Sequence, residues 1–228
     1  MIDKQRQNVY HQRDAILEAD ADAEKKKIWL EQTKAQFLLN AQEVLAQQVQ
    51  VAEATGQGVT DLLDVLIKEY GLQLSKEQKE QFSQLSYDAL LEQLTVKLVT
   101  YFQNVFEKED SDLLFEVFRD VHLRVIDKLW IPHIDEMQYL KDKVGFMGYA
   151  QMDPLVVYKK ESFEKFQDLL ANIKTDTTRM LMGIDYTRVA EFKQMQEQFL
   201  MAAKGDPELM KKLQEASKQG GKIVVTGQ

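Results

Sequence analysis

Glycine and proline punctuate this sequence so rarely that the chain has few places to turn: ten glycines and three prolines in 228 residues. Glycine supplies the left-handed conformations that end helices, and proline removes a backbone donor, so together they mark most breaks. Between residues 3 and 54 neither occurs, and the apolar positions Val9, Ile16, Ile28, Phe37, Leu38, Val44 and Leu45 recur at helical spacing. No segment alternates with the period of a strand; the β-branched run at 222–226 is too short and too close to the terminus. The expected fold is all-α.

The few breaks that exist carry recognisable chemistry. The stretch 20–27, with no apolar stripe, reads as a solvated part of a helix or a short break, with Asp22 spaced to pair with Lys26. Gly56-Gln57-Gly58 is the first firm stop, Thr60 is placed to cap a short helix, and Gly71 is placed to end it. Ser75 with Gln78 three residues later forms a near-copy of a capping box. A helix to about Lys108 follows, with an interruption near 83–86, and Asp110 or Ser111 can cap the next. One short helix is expected over 207–218, before a frayed Gly220-Gly221 end.

Two stripes then face each other across a turn. Leu123, Ile126, Trp130, Ile134, Met137, Leu140 and Val144 follow one another at steps of three and four, as do Phe163, Phe166, Leu170, Ile173, Thr177 and Met180. Each is the narrow seam expected where two antiparallel helices pack. Pro132 lies inside the first, where a proline costs about 3 kcal/mol and predicts a bend or a helix start. The turn, Gly148-Tyr149-Ala150-Gln151-Met152-Asp153-Pro154, presents a large aromatic beside a glycine. Packing alone accounts for the stripe residues Trp130, Met137, Leu140, Phe163 and Phe166 and for His133 beside them, but not for a tyrosine at the tip.

Several classes of function are disfavoured. A net charge of -8 argues against nucleic acid as the main ligand. No apolar run approaches the ~18 residues of a membrane span, and the polar start lacks a signal-peptide core. The chain has no cysteine, which removes disulfides and thiolate zinc sites. It carries no phosphate-cradling loop, and His11, His122 and His133 fall in no metal-binding pair, so a stand-alone enzyme is not expected and no catalytic, cofactor or metal residue is assigned.

The residues of the hairpin carry a specific resemblance. Leu123-Arg124-Val125-Ile126-Asp127, Trp130, His133, Asp135, Met137, Leu140 and Lys141 are followed by Gly148-Tyr149-Ala150-Gln151, Asp153-Pro154-Leu155, Tyr158-Lys159 and Glu161-Ser162-Phe163. This series resembles the C-terminal part of SecA, the ATP-driven motor of bacterial preprotein export. Asp3-Lys4-Gln5-Arg6 with Val9-Tyr10, Arg13 and Ile16-Leu17 is similar to the late part of that family's long scaffold helix, while the middle, about 35–110, matches only in helical character. Met147 stands where the family usually has arginine and Lys143 where it has glycine, Pro132 is unexpected, and no cysteine-rich zinc tail follows.

The resemblance implies a scaffold end over 1–34, a helical wing over 35–112, a two-helix finger over 113–182 and a helical extension with a flexible tail over 183–228. It further implies that Met147, Gly148, Tyr149, Ala150 and Gln151 form a fingertip touching the SecY channel and the unfolded preprotein, and that Lys159 and Lys160 meet acidic channel loops or lipid headgroups. ATP and magnesium would belong to motor domains absent from this sequence, supplied in cis or in trans, and the chain would be a fragment, a split subunit or an excised piece. The implied location is cytoplasmic, peripheral at the inner face of the bacterial membrane. A coiled-coil adaptor that binds partner helices through its apolar stripes is the competing reading.

Overall fold

The computed structural model describes residues 2–146 and 153–204. Its elements are α1 (Ile2–Ala21), α2 (Ala23–Thr55), α3 (Val59–Tyr70), α4 (Lys76–Phe82), α5 (Tyr87–Lys108), α6 (Ser111–Phe146), α7 (Pro154–Met182) and α8 (Tyr186–Lys204), with no strand among the described residues. The fold is all-α. The chain divides into two units, Met1–Ile184 and Asp185–Gln228. The expected fingertip residues Met147, Gly148, Tyr149, Ala150 and Gln151, and the helix expected over 207–218, lie outside the described residues.

The helix ends follow local side-chain chemistry. Asp22 breaks the long N-terminal helical stretch: its backbone is extended, and its carboxylate accepts from the N–H groups of Glu24 (2.9 Å) and Lys25 (3.0 Å). Those bonds hold its pKa below the ordinary carboxylate value, Lys25 N–H contributing most. Lys26, expected to pair with Asp22, reaches Asp112 on α6 instead at 2.6 Å, because the Asp22 carboxylate is committed to the cap. Gly56 and Gly71 end α2 and α3 in left-handed conformations. The cap of α3 is Gly58 rather than the expected Thr60, which already lies inside the helix. Both bonds of the Ser75–Gln78 capping box form. The Asp110 carboxylate accepts from Asp112 and Leu113 N–H groups at the start of α6.

In the first unit α2 packs against α1, α3, α5, α6 and α7. Its Phe37 ring meets Phe102 of α5 edge-on at 4.6 Å and Phe118 of α6 at 5.7 Å; Trp29 meets Phe115 at 5.3 Å and His122 at 5.6 Å. Such edge-to-face pairs add about 0.5–1.5 kcal/mol each beyond burial. Leu90, Leu94, Leu98 and Phe102, four residues apart along α5, are all buried. The most extensive interface joins α6 and α7.

Three details of the hairpin depart from the expected stripes. α6 runs through Pro132 as one helix, so no helix begins there. Its buried seam is Ile126, Trp130, His133, Met137, Leu140 and Val144, with His133 in the place assigned to Ile134, which is half-buried along with Leu123. On α7, Phe163 is 58% exposed, and the inward position belongs to its neighbour Ser162, which is fully buried. A one-residue shift turns a helix by about 100°, enough to swing Phe163 out of the interface.

In the second unit, α8 exposes Phe192, Met195 and Phe199 at helical spacing.

Candidate functional site

Ion pairs define the register of the hairpin. Lys128 of α6 reaches Asp176 of α7 at 3.7 Å, Lys165 of α7 pairs with Glu136 of α6, and Lys143 of α6 reaches Glu161 of α7 at 3.9 Å. As the position climbs on α6 its partner falls on α7, which makes the two helices antiparallel with their connection beyond Phe146. The Glu136 carboxylate also raises the pKa of Lys165. Exposed pairs of this kind stabilise by at most about 1 kcal/mol, so they mark the register more than they hold it.

A buried polar junction holds the hairpin to α1. Gln5 and His133 are 5% and 4% exposed, and Ser162 is fully buried. The Gln5 side-chain Nε2 donates to the Ser162 carbonyl oxygen at 2.9 Å, while Gln5 Oε1 lies 3.1 Å from His133 Nε2. A carbonyl can only accept, so the amide of Gln5 has one permitted orientation and its oxygen must face His133. His133 Nε2 therefore carries the proton and donates. Burial pushes the His133 pKa below its ordinary value, with Glu136 opposing and Lys165 assisting, which keeps the ring neutral near pH 7. One glutamine thus bridges two helices that lie far along the chain.

Aromatic packing surrounds this junction. The Trp130 ring stacks on His133 at 5.5 Å and meets Tyr10 of α1 edge-on at 6.4 Å, while the half-buried Phe166 ring approaches His133 at 6.0 Å. Further along α6, Met137, Leu140 and Val144 form a buried cluster packed by Ile2, Val157 and Tyr158. The start of α1 and the start of α7 therefore share a floor on α6. Removing one such apolar side chain typically costs 2–5 kcal/mol.

Toward the connection, Asp153 caps α7 by accepting from Leu155 N–H at 2.9 Å, with Pro154 at the first helical position. Lys159 and Lys160 are exposed and enter no ion pair among the described residues. Leu155, Val156 and Phe163 are exposed with them, and Glu164 beside Phe163 is exposed as well, so the outer surface of α7 near its start mixes apolar and charged groups. Trp130 and Phe166 pack at His133 in the junction, Met137 and Leu140 belong to the apolar cluster further along α6, Lys159 and Lys160 lie on the outer surface, and Phe163 turns away from the interface.

Sequence reasoning did not single out Gln5 as a functional residue. Its partners lie 128 and 157 positions away, and nothing near a polar residue in a helix announces such a bond. A serine beside the apolar seam, Ser162, is the one local signal that another helix approaches closely there.

No group of three or more His, Asp or Glu side chains among the described residues could hold a metal ion. No helix among them is long and apolar enough to cross a membrane.

The family described as SecA Wing and Scaffold domain matches residues 1–185 of this chain. Among curated proteins, the chain is 29% identical over 184 residues to the Protein translocase subunit SecA of Helicobacter hepaticus, covering 81% of this chain and 21% of that protein. It is 29% identical over 215 residues to that of Clostridium tetani (92% of this chain, 24% of that protein) and 38% identical over 107 residues to that of Carboxydothermus hydrogenoformans (47% and 12%). The chain spans roughly a fifth of the length of the first two relatives.

Proposed function

This chain belongs to the SecA wing and scaffold family, and on that footing we propose that it serves protein translocation, its α6–α7 hairpin acting as a finger that contacts the SecY channel and the unfolded preprotein. In this reading residues 1–34 are the scaffold end, 35–112 the wing, 113–182 the finger and 183–228 an extension. The observation that carries it is the attachment of an antiparallel hairpin to α1 by the buried Gln5–His133–Ser162 bonds. α6 continues 13 residues beyond His133 to Phe146, a reach of about 20 Å at 1.5 Å per residue. Two packed helices resist bending over that distance better than one, which suits a probe that must transmit displacement from α1 to its end.

The tip residues Met147, Gly148, Tyr149, Ala150 and Gln151 meet the polypeptide. The phenol of Tyr149 offers an amphipathic face that many side chains can pack against without one sequence being required. Lys159 and Lys160 face acidic channel loops or lipid headgroups at the cytoplasmic surface of the membrane. The chain itself performs no catalysis: ATP and magnesium are bound by SecA-like motor domains joined in cis or in trans, and nucleic acid has no part.

A single cysteine at Tyr149 tests the reading in a translocase assembled with motor domains, SecY and a stalled preprotein. It is expected to crosslink to both channel and preprotein, whereas a cysteine at the exposed Gln47 of α2 is not. Equal labelling at the two positions would refute the finger assignment. Stable dimers, with translocation indifferent to Tyr149→Ala, would favour the coiled-coil adaptor.

A further inference from the structure

A cavity of about 650 Å³ opens between the end of α3, the 71–75 connection, α5 and the end of α7. Its size falls within the roughly 300–1,000 Å³ typical of small-molecule sites. The walls are largely apolar: Ile67, Leu72, Leu98, Phe102 and Met182, with the rings of Tyr70 and Tyr101 among them. No Asp or Glu among the described residues lines it, although the protein carries a net charge of -8.

Lys97 is the cation of this cavity. Its side chain is half-buried, and its ammonium donates to Gln78 Oε1 at 3.0 Å. That oxygen already accepts from Ser75 N–H in the capping box at 3.2 Å. Lys97 enters no ion pair among the described residues; a neutral amide oxygen, shared with a backbone donor, is the acceptor that holds it. An ammonium needs anionic or multiple neutral partners when water is partly excluded. Elsewhere in the fold the interhelical lysines Lys26, Lys79, Lys165 and Lys174 all meet carboxylates. The difference places an unneutralised positive charge at an apolar cavity.

We propose that this cavity binds a small amphipathic carboxylate, with its aliphatic chain against Leu98, Phe102 and Met182 and its head group on Lys97. The carboxylate supplies the charge that Lys97 lacks, and the tail removes apolar wall from water. Because Met182 belongs to α7 and the other walls to α3, α5 and the connection from α3 to α4, the ligand braces the end of the hairpin against these helices. The site is separate from the Gln5–His133 junction and does not depend on the finger assignment.

The test is calorimetric titration of the whole chain with decanoate and with decanol, both kept below their aggregation concentrations, for the native protein and for Lys97→Glu and Leu74→Trp. Leu74 is a half-buried lining residue, and a larger ring there fills the space. Folding of each variant is checked by circular dichroism. Decanoate is expected to saturate one site, to bind more tightly than decanol, and to weaken at least about tenfold in either variant, since reversing one contacting charge or filling a pocket is a change of that order. Absence of saturable decanoate binding overturns the proposal. So does decanoate binding that matches decanol and ignores Lys97→Glu, which is simple partitioning into an apolar space. An acidic amphipathic peptide that binds here while decanoate does not also overturns it, and assigns the cavity to a protein partner.

Discussion

Replacing Gly71 with alanine isolates the cost of the closest contact an added methyl would make at any described glycine. Gly71 has φ 66°, and a methyl group built on it lies 2.4 Å from the Gly183 Cα and 3.1 Å from the Met182 carbonyl oxygen. Neither atom is the end of a flexible side chain, so α3 and α7 must separate. The left-handed conformation alone costs alanine about 1–2 kcal/mol, and forcing extra volume into a packed contact adds about 1–3 kcal/mol. Gly56 is the internal control: its φ is 69°, but among the described residues nothing lies within 4 Å of an added methyl. Gly56→Ala should therefore lose only the conformational part, about 1–2 kcal/mol. Gly183→Ala should lose less still, because its methyl meets only Arg179 and Met180 carbonyl oxygens at 3.6 and 3.7 Å, at an ordinary φ of -80°. Urea denaturation followed by circular dichroism ranks the three variants. The geometry requires Gly71→Ala to be the least stable by at least about 1 kcal/mol. A Gly71→Ala midpoint equal to that of Gly56→Ala would refute the close approach of α3 to α7.

Stability should fall as pH drops from about 7.5 to 5.5. The folded pKa values of His122 and His133 are depressed by burial below the ordinary 6.5, so the unfolded chain binds protons first and acid favours unfolding. Denaturant midpoints across that range check the sign, and His133→Gln should flatten the dependence. Ser75→Ala, which removes one bond of the capping box, should cost about 1 kcal/mol, read as faster amide exchange confined to α4. Leu140→Ala, in the cluster shared by α1, α6 and α7, should cost about 2–5 kcal/mol, whereas Phe163→Ala, at an exposed position, should stay within about 0.5 kcal/mol; denaturation midpoints compare the two directly.

What the sequence discloses and what it hides divide by range. Gly56, Gly71 and the Ser75–Gln78 box could be placed because each acts on backbone groups within a few residues. The α6–α7 hairpin could be placed because a repeating seam outweighs any single residue. Thr60 misled because the true cap, Gly58, contributes backbone conformation and no side-chain bond. Phe163 misled for a different reason: the inward face of α7 carries Ser162, whose carbonyl accepts from Gln5, a contact 157 residues distant. In a periodic pattern the largest apolar residue attracts the inward assignment, whereas close packing around a buried bond favours the smallest. Lys97 could not be singled out either, since what distinguishes it is that no acidic group among the described residues lines a cavity assembled by α3, α5 and α7.

The Gln5 amide joins His133 to Ser162 where the hairpin meets α1, and a double-mutant cycle measures that junction. Gln5→Leu and His133→Leu each leave a buried polar group without its partner, which costs about 1–3 kcal/mol apiece. Removing both at once strands less, so the double variant should be more stable than the sum of the single losses by about 1 kcal/mol. Strict additivity of the two losses would mean that the residues do not bond, and that the hairpin is not fastened to α1 in this way.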